Sequence, residues 1–141
     1  MPQDWPLTGR SDQRAKAMAA LRESGGVVLA GAAGVGKTRL AREVTAEAAR
    51  RGQVTRWVGA TASSRNIPLG AFAALVAEGG GAAATQLGRV GAALRDSVDV
   101  LTVDDAHLLD HVSATLLHQL ALERAVWLVV TVRQGDRRRT R

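Results

Sequence analysis

The chain has no cysteine and no tyrosine. Without cysteine it can build neither a disulfide framework nor a thiolate metal site. Aromatic rings are scarce: Trp5, Trp57, Phe72 and Trp127 are all of them. Its core must therefore be assembled from Ala, Val and Leu. No apolar run approaches the ~18 residues that suggest a membrane span. The start, Met1-Pro2-Gln3-Asp4-Trp5-Pro6, lacks the basic opening and apolar stretch of a signal peptide. These absences lead to the expectation of a soluble cytoplasmic protein with no membrane partner. Lysine is also nearly missing. There are 17 arginines but only two lysines, Lys16 and Lys37.

What is present suits one domain. The chain has 141 residues, of which 46% are hydrophobic, enough to bury a core. The net charge is +6. Residues 134–141 hold four Arg and one Asp, so they supply +3 and leave +3 for the rest. A basic tail can bind polyanions without sequence preference. A solvated, disordered end is the simpler expectation. The division expected is one domain over 1–133 and a basic tail over 134–141.

One of the two lysines falls in Gly31-Ala32-Ala33-Gly34-Val35-Gly36-Lys37-Thr38. This is a full match to the phosphate-loop pattern G-x-x-x-x-G-K-[ST]. Each fixed position has its own task. Gly31 and Gly36 are expected to permit backbone angles that a side chain forbids. The loop can then turn its N–H groups inward around phosphates. Lys37 supplies a mobile charge for the β- and γ-phosphate oxygens. The Thr38 hydroxyl is suited to ligate Mg²⁺. The helix that begins there adds its positive dipole end. An ordinary Gly/Ala turn would not need Lys at that position.

The flanking pattern fits. Apolar Val27–Ala30 reads as a strand, and Thr38–Arg51 as a helix with Leu40, Val44 and Ala48 on one face. A helix over Ser11–Glu23 precedes them, ended by Gly25-Gly26. Further strands are expected over 54–58, 98–103 and 126–132. Helices are expected from Pro68 through Val76, over 82–95 and over 112–124. Pro68 suits a first helical turn, while Gly88 and Gly91 weaken the helix that holds them. Strands alternating with helices imply a parallel sheet with right-handed crossovers.

Val100-Leu101-Thr102-Val103-Asp104-Asp105 is an apolar strand ending in two carboxylates. In a P-loop fold such an aspartate faces the Mg²⁺ beside the loop Thr/Ser. Asp104 is that candidate, and Asp105 is the candidate to orient or deprotonate attacking water. By itself, such an acidic end is often only a helix cap. His107, lacking clustered partners, reads as a turn residue that contacts its neighbours rather than a metal ligand. Leu128–Arg133 is another strand ending in polar groups, and Thr131 or Arg133 could sense a γ-phosphate there; the alternative is that Arg133 merely begins the basic tail.

Four segments line up with one family: Leu7-Thr8-Gly9-Arg10, the phosphate loop, Val103-Asp104-Asp105-Ala106-His107 and Val129-Val130-Thr131-Val132-Arg133. Together they resemble the nucleotide-binding domain of large ATP-binding transcriptional regulators of the LuxR type. Those are signal-transducing ATPases with numerous domains, relatives of the AAA+ ATPases. Asn66-Ile67-Pro68-Leu69-Gly70-Ala71-Phe72 is similar to the segment they carry after the second strand. The resemblance implies a three-layer α/β/α P-loop fold with ATP and Mg²⁺ as cofactors. It implies that Gly9 and Arg10 lie near the adenine and that Gly31 to Arg39 hold the phosphates. Thr38 and Asp104 would hold the metal, with Lys37, Asp105 and Arg133 as catalytic residues and Arg133 as the sensor. ATP would favour an active, often oligomeric state, and hydrolysis to ADP would reset it. The family continues with a fifth strand, a helical lid and a helix-turn-helix, and the chain stops after the fourth strand. A truncated domain is therefore expected, with no DNA-binding domain and with the phosphate-loop strand left as an exposed edge.

Three readings follow. The first is an ATP-binding module from a switch-type regulator, with weak or no hydrolysis alone. The second is a P-loop kinase for a small molecule, against which stand the Asp-Asp pair and the lack of an Arg-rich lid. The third is a non-enzymatic fragment that self-associates or docks on a related full-length regulator by strand addition.

Overall fold

In the computed structural model, which describes residues 10–32, 36–77 and 83–134, four strands alternate with helices. The strands are β1 (Gly26–Gly31), β2 (Thr55–Gly59), β3 (Val100–Asp104) and β4 (Trp127–Arg133). The helices are α1 (Arg10–Ser24), α2 (Lys37–Arg50), α3 (Ala73–Ala77), α4 (Ala83–Ser97) and α5 (His111–Glu123). The sheet order is β1-β4-β3-β2, and every pairing is parallel. The expected α/β class and parallel sheet are both present.

Strand alternation divides the core between two faces of the sheet. Val100 and Val129 pack with Leu29 against Met18 and Leu21 of α1 and Leu40, Val44 and Ala48 of α2. Leu101, Val103 and Leu128 pack on the other face with Leu94 of α4 and Leu116 and Leu120 of α5. Strands covered on both sides are apolar throughout, as Val100–Val103 nearly are. The exception is Thr102, which is buried. Its hydroxyl lies 2.7 Å from that of Thr45 on α2, so the buried polar group keeps a partner.

β1 is a terminal strand of this four-stranded sheet, as the resemblance implied. Leu29 is covered by α1 and α2, but Val28, facing the opposite way, is 63% exposed. Val28 borders an apolar groove shared with Leu117, Ala121 and Val130.

The segment after β2 departs from the expected single helix beginning at Pro68. A 3-10 turn spans Ser64–Asn66, a second spans Gly70–Phe72, and α3 begins only at Ala73. The cause is Leu69, whose backbone is left-handed (φ 59°). A helix cannot run through such a residue. Its N–H instead donates to Asp110 Oδ2 at 3.0 Å, and its side chain is buried. Gly70 is required by close approach, since a Cβ there would lie 2.5 Å from the Ser64 carbonyl oxygen. Gly88 and Gly91 do not interrupt α4. Among the described residues no helix is long and apolar enough to cross a membrane. Leu7-Thr8-Gly9 and residues 135–141 lie outside the described residues; of the expected disordered tail only Gln134 is described, and its N–H donates to the Gly31 carbonyl at 2.9 Å.

Candidate functional site

The site forms where β1, β3 and β4 end together. β1 finishes at Gly31, which pairs with Arg133 of β4. Gly31 is thus a strand residue, and the special backbone angle expected there is absent. Gly36 does have one, at φ 88° and ψ 18°. It stands immediately before α2, where no side chain caps the helix and no acidic residue occupies the first turn. The first intrahelical bond runs from Leu40 N–H to the Gly36 carbonyl at 2.9 Å. The N–H groups of Lys37, Thr38 and Arg39 therefore have no acceptor within the helix. Such uncapped N–H groups, with the helix dipole behind them, make an anion site.

Lys37 is buried, at 7% exposure. Its Nζ donates to the Ala32 carbonyl at 3.1 Å. An ammonium has three donors, so this bond leaves capacity for an anion. An open cavity of about 470 Å³ lies here, lined by Gly36, Lys37, Thr38, Arg39 and Arg42. Its lining carries three cationic side chains and no carboxylate. Arg42, which the sequence did not single out, is steadied by Trp57, with its guanidinium 4.9 Å from the ring centroid.

The acidic pair meets this loop. Thr38 Oγ1 donates to Asp104 Oδ1 at 3.0 Å and lies 3.3 Å from Oδ2. Thr131 Oγ1 donates to the same Oδ1 at 2.6 Å. The Thr131 oxygen in turn accepts the Asp105 N–H at 2.8 Å. Thr131 is fully buried, and its one hydroxyl proton is committed to Asp104. A hydroxyl so used orients the carboxylate and has no proton left for a phosphate. Asp105 has a left-handed backbone (φ 58°, ψ 48°) and starts the 3-10 turn Ala106–Leu108. Asp tolerates that conformation better than most residues. No bond to its carboxylate is seen among the described residues.

Arg133 lies beside the loop through its register with Gly31, and its side chain is exposed. Its N–H donates to His107 Nδ1 at 3.1 Å. The neighbour that the turn residue His107 contacts is thus the end of β4. Asp110 was not singled out at all. It caps α5, its Oδ2 accepting from Val112 N–H and Ser113 N–H at 3.1 Å each. The position just before a helix was the available signal. Burial pushes the Asp110 carboxyl up, but hydrogen bonding from Leu69 and Ser113 outweighs it and holds the group below its ordinary value.

The fold thus brings Lys37, Thr38, Asp104, Asp105 and Arg133 to one end of the sheet, with Arg39 exposed on the rim. Ala32 is exposed at the loop's start. Gly9, Ala33, Gly34 and Val35 lie outside the described residues, and Arg10 is described only as the first residue of α1.

The sequence matches the AAA ATPase domain family over residues 6–99. That is about two thirds of the chain, and the chain belongs to this family. The match ends before the acidic pair. DnaA from Aquifex aeolicus, bound to AMPPCP, superposes with a TM-score of 0.59 at 17% identity, over 94% of this chain and 41% of that one. The ORC2 protein of Aeropyrum pernix, in ADPNP and ADP complexes, gives 0.56 at 17%, over 92% and 40%. A replication initiator DnaA bound to AMPPCP and single-stranded DNA gives 0.55 at 21%, over 88% and 37%. The chain spans about two fifths of the length of each of these. At such identities the likeness is one of fold: an AAA ATPase-like module with the architecture of nucleotide-binding proteins. No curated protein sequence matches the chain.

Proposed function

We propose that this chain is a P-loop module that binds ATP with Mg²⁺, derived from a switch-type regulator of the LuxR kind, with weak or no hydrolysis alone. One observation carries the reading: Thr38 Oγ1 stands 3.0 Å from Asp104 Oδ1, beside an uncapped, cationic helix start. Oxygens about 2.1 Å from an octahedral Mg²⁺ are about 3.0 Å apart when adjacent in its shell. The Thr38–Asp104 pair fits that spacing without moving. Among the described residues no group of three or more His, Cys, Asp or Glu side chains converges on a metal. Mg²⁺ held here would take its other oxygens from water and phosphates, as that ion commonly does. When bound, it would neutralise charge on the phosphates.

Lys37 and the first N–H groups of α2 receive the phosphates in this reading. Gly31 to Arg39 form the cradle, and Gly9 and Arg10 lie near the adenine. Asp105 orients or deprotonates water with its carboxylate, which has no hydrogen-bond partner among the described residues. Arg133 reads the γ-phosphate and so separates ATP from ADP. Thr131 holds Asp104 in line, rather than sensing. The regulator origin rests on the four sequence segments. The test is calorimetric titration with ATP, with and without Mg²⁺, on the protein and on Lys37→Ala. Binding that needs Mg²⁺ and is largely lost in the variant is expected. Equal binding by the variant would overturn the reading.

The edge of β1 favours a second reading, self-association or docking on a related regulator. A strand edge left unpaired among the described residues, beside the apolar Val28 groove, is a place for strand addition. Light scattering across concentrations tests it. A monomer at all concentrations, unchanged by Val28→Lys, would remove the case for self-association.

A further inference from the structure

We propose that His107 is a positioning residue that holds Arg133, through the backbone, in place for the γ-phosphate; this rests on the reading of Arg133 as the sensor. The β3–β4 ladder stops at Val103 opposite Val130, yet β4 continues to Arg133. Alternate N–H groups of a strand point to opposite neighbours. On β4, Trp127 N–H points to the β3 side, bonding the Asp99 carbonyl at 3.0 Å. Leu128 N–H and Gln134 N–H point to the β1 side, bonding the carbonyls of Gly25 and Gly31. Arg133, in step with Trp127, therefore aims its N–H at the β3 side, where β3 has already turned away at Asp105. The His107 imidazole fills the vacated place, with Nδ1 accepting that N–H at 3.1 Å.

The acidic motif thus grips β4 at two alternate residues. Asp104 and Asp105 engage Thr131, and His107 engages Arg133. Gly31, at the start of the phosphate loop, flanks Arg133 on the other side. His107 therefore lets β4 stay extended past its last β3 partner, which sets the Arg133 Cα beside the loop. Accepting at Nδ1 requires an unprotonated Nδ1, with the ring proton on Nε2. Asparagine can place its Oδ1 near the Nδ1 position and accept the same bond. Leucine cannot accept it.

The experiment measures ATP and ADP dissociation constants with Mg²⁺ for the full chain and for Arg133→Ala, His107→Leu, His107→Asn and the double variant His107→Leu/Arg133→Ala. Arg133→Ala is expected to abolish most of the preference for ATP over ADP. His107→Leu should lower that preference about two- to tenfold, the range for one lost hydrogen bond, with ADP affinity unchanged. His107→Asn should restore it, and the double variant should be no worse than Arg133→Ala. Circular dichroism melting of each variant checks that the fold is kept. A wild-type preference in His107→Leu, or an equal defect in His107→Asn, overturns the proposal while leaving the sensor reading intact. No change in Arg133→Ala overturns the sensor reading and this proposal with it.

Discussion

Thr131→Val removes one oxygen from the most connected point of the site and changes little else in shape. The Thr131 hydroxyl donates to Asp104 at 2.6 Å and accepts the Asp105 N–H at 2.8 Å. A bond to an ionised carboxylate contributes about 1.5–3 kcal/mol, and an orphaned buried donor costs about 1–3 kcal/mol. The added methyl regains about 0.8 kcal/mol by burial. Asp104 is only half-buried, so water offsets part of its loss. The net expectation is a destabilisation of about 2–4 kcal/mol. For a domain of this size that lowers the melting temperature by about 6–15 °C. Urea unfolding followed by Trp57 and Trp127 fluorescence measures it. A double-mutant cycle with Asp104→Ala should give a coupling of at least about 1 kcal/mol. A loss below about 0.5 kcal/mol, or no coupling, would mean that the bridge contributes nothing and that Asp104 is oriented by other contacts.

Asp110→Ala removes the cap of α5 and the acceptor of Leu69 N–H. It should cost about 2–4 kcal/mol in urea unfolding. The Asp110 carboxyl is held below its ordinary 3.8, so its contribution is present above that value and is lost as pH falls through the lower folded value. The urea midpoint of the protein should therefore fall more steeply below pH 4 than that of Asp110→Asn. Gly70→Ala forces a Cβ to 2.5 Å from the Ser64 carbonyl oxygen. The turn must shift, and a loss of about 1–3 kcal/mol is expected, read by thermal melting. Asp105→Asn should leave ATP affinity within about threefold while reducing any turnover by about 100-fold or more, as expected for a lost general base. Equal turnover would remove Asp105 from that role.

The elements were legible because each depends on residues adjacent in the chain. The phosphate loop is eight consecutive residues, and the buried face of α2 repeats every three to four. Strand positions followed from short apolar runs bounded by turn residues. The Pro68 helix was misread because its interruption is tertiary. Leu69 turns left-handed to bury its side chain and to give its N–H to Asp110, 41 positions away. Gly31 was misread because the loop pattern does not state where the strand ends.

What the sequence determined by itself is the chemistry available: one lysine in a phosphate-loop pattern, one hydroxyl after it, and two carboxylates at a strand end. Their encounter was decided by the tertiary structure. Thr38 and Asp104 are 66 positions apart and meet at 3.0 Å. That meeting depends on β4 inserting between β1 and β3, which also delivers Thr131 to the acidic pair and Arg133 to His107. Chain-local patterns specify which groups an element carries and which face it buries. Strand order is set by the burial of both sheet faces at once, a property of the whole chain. It is the strand order that turned two separate motifs into one site.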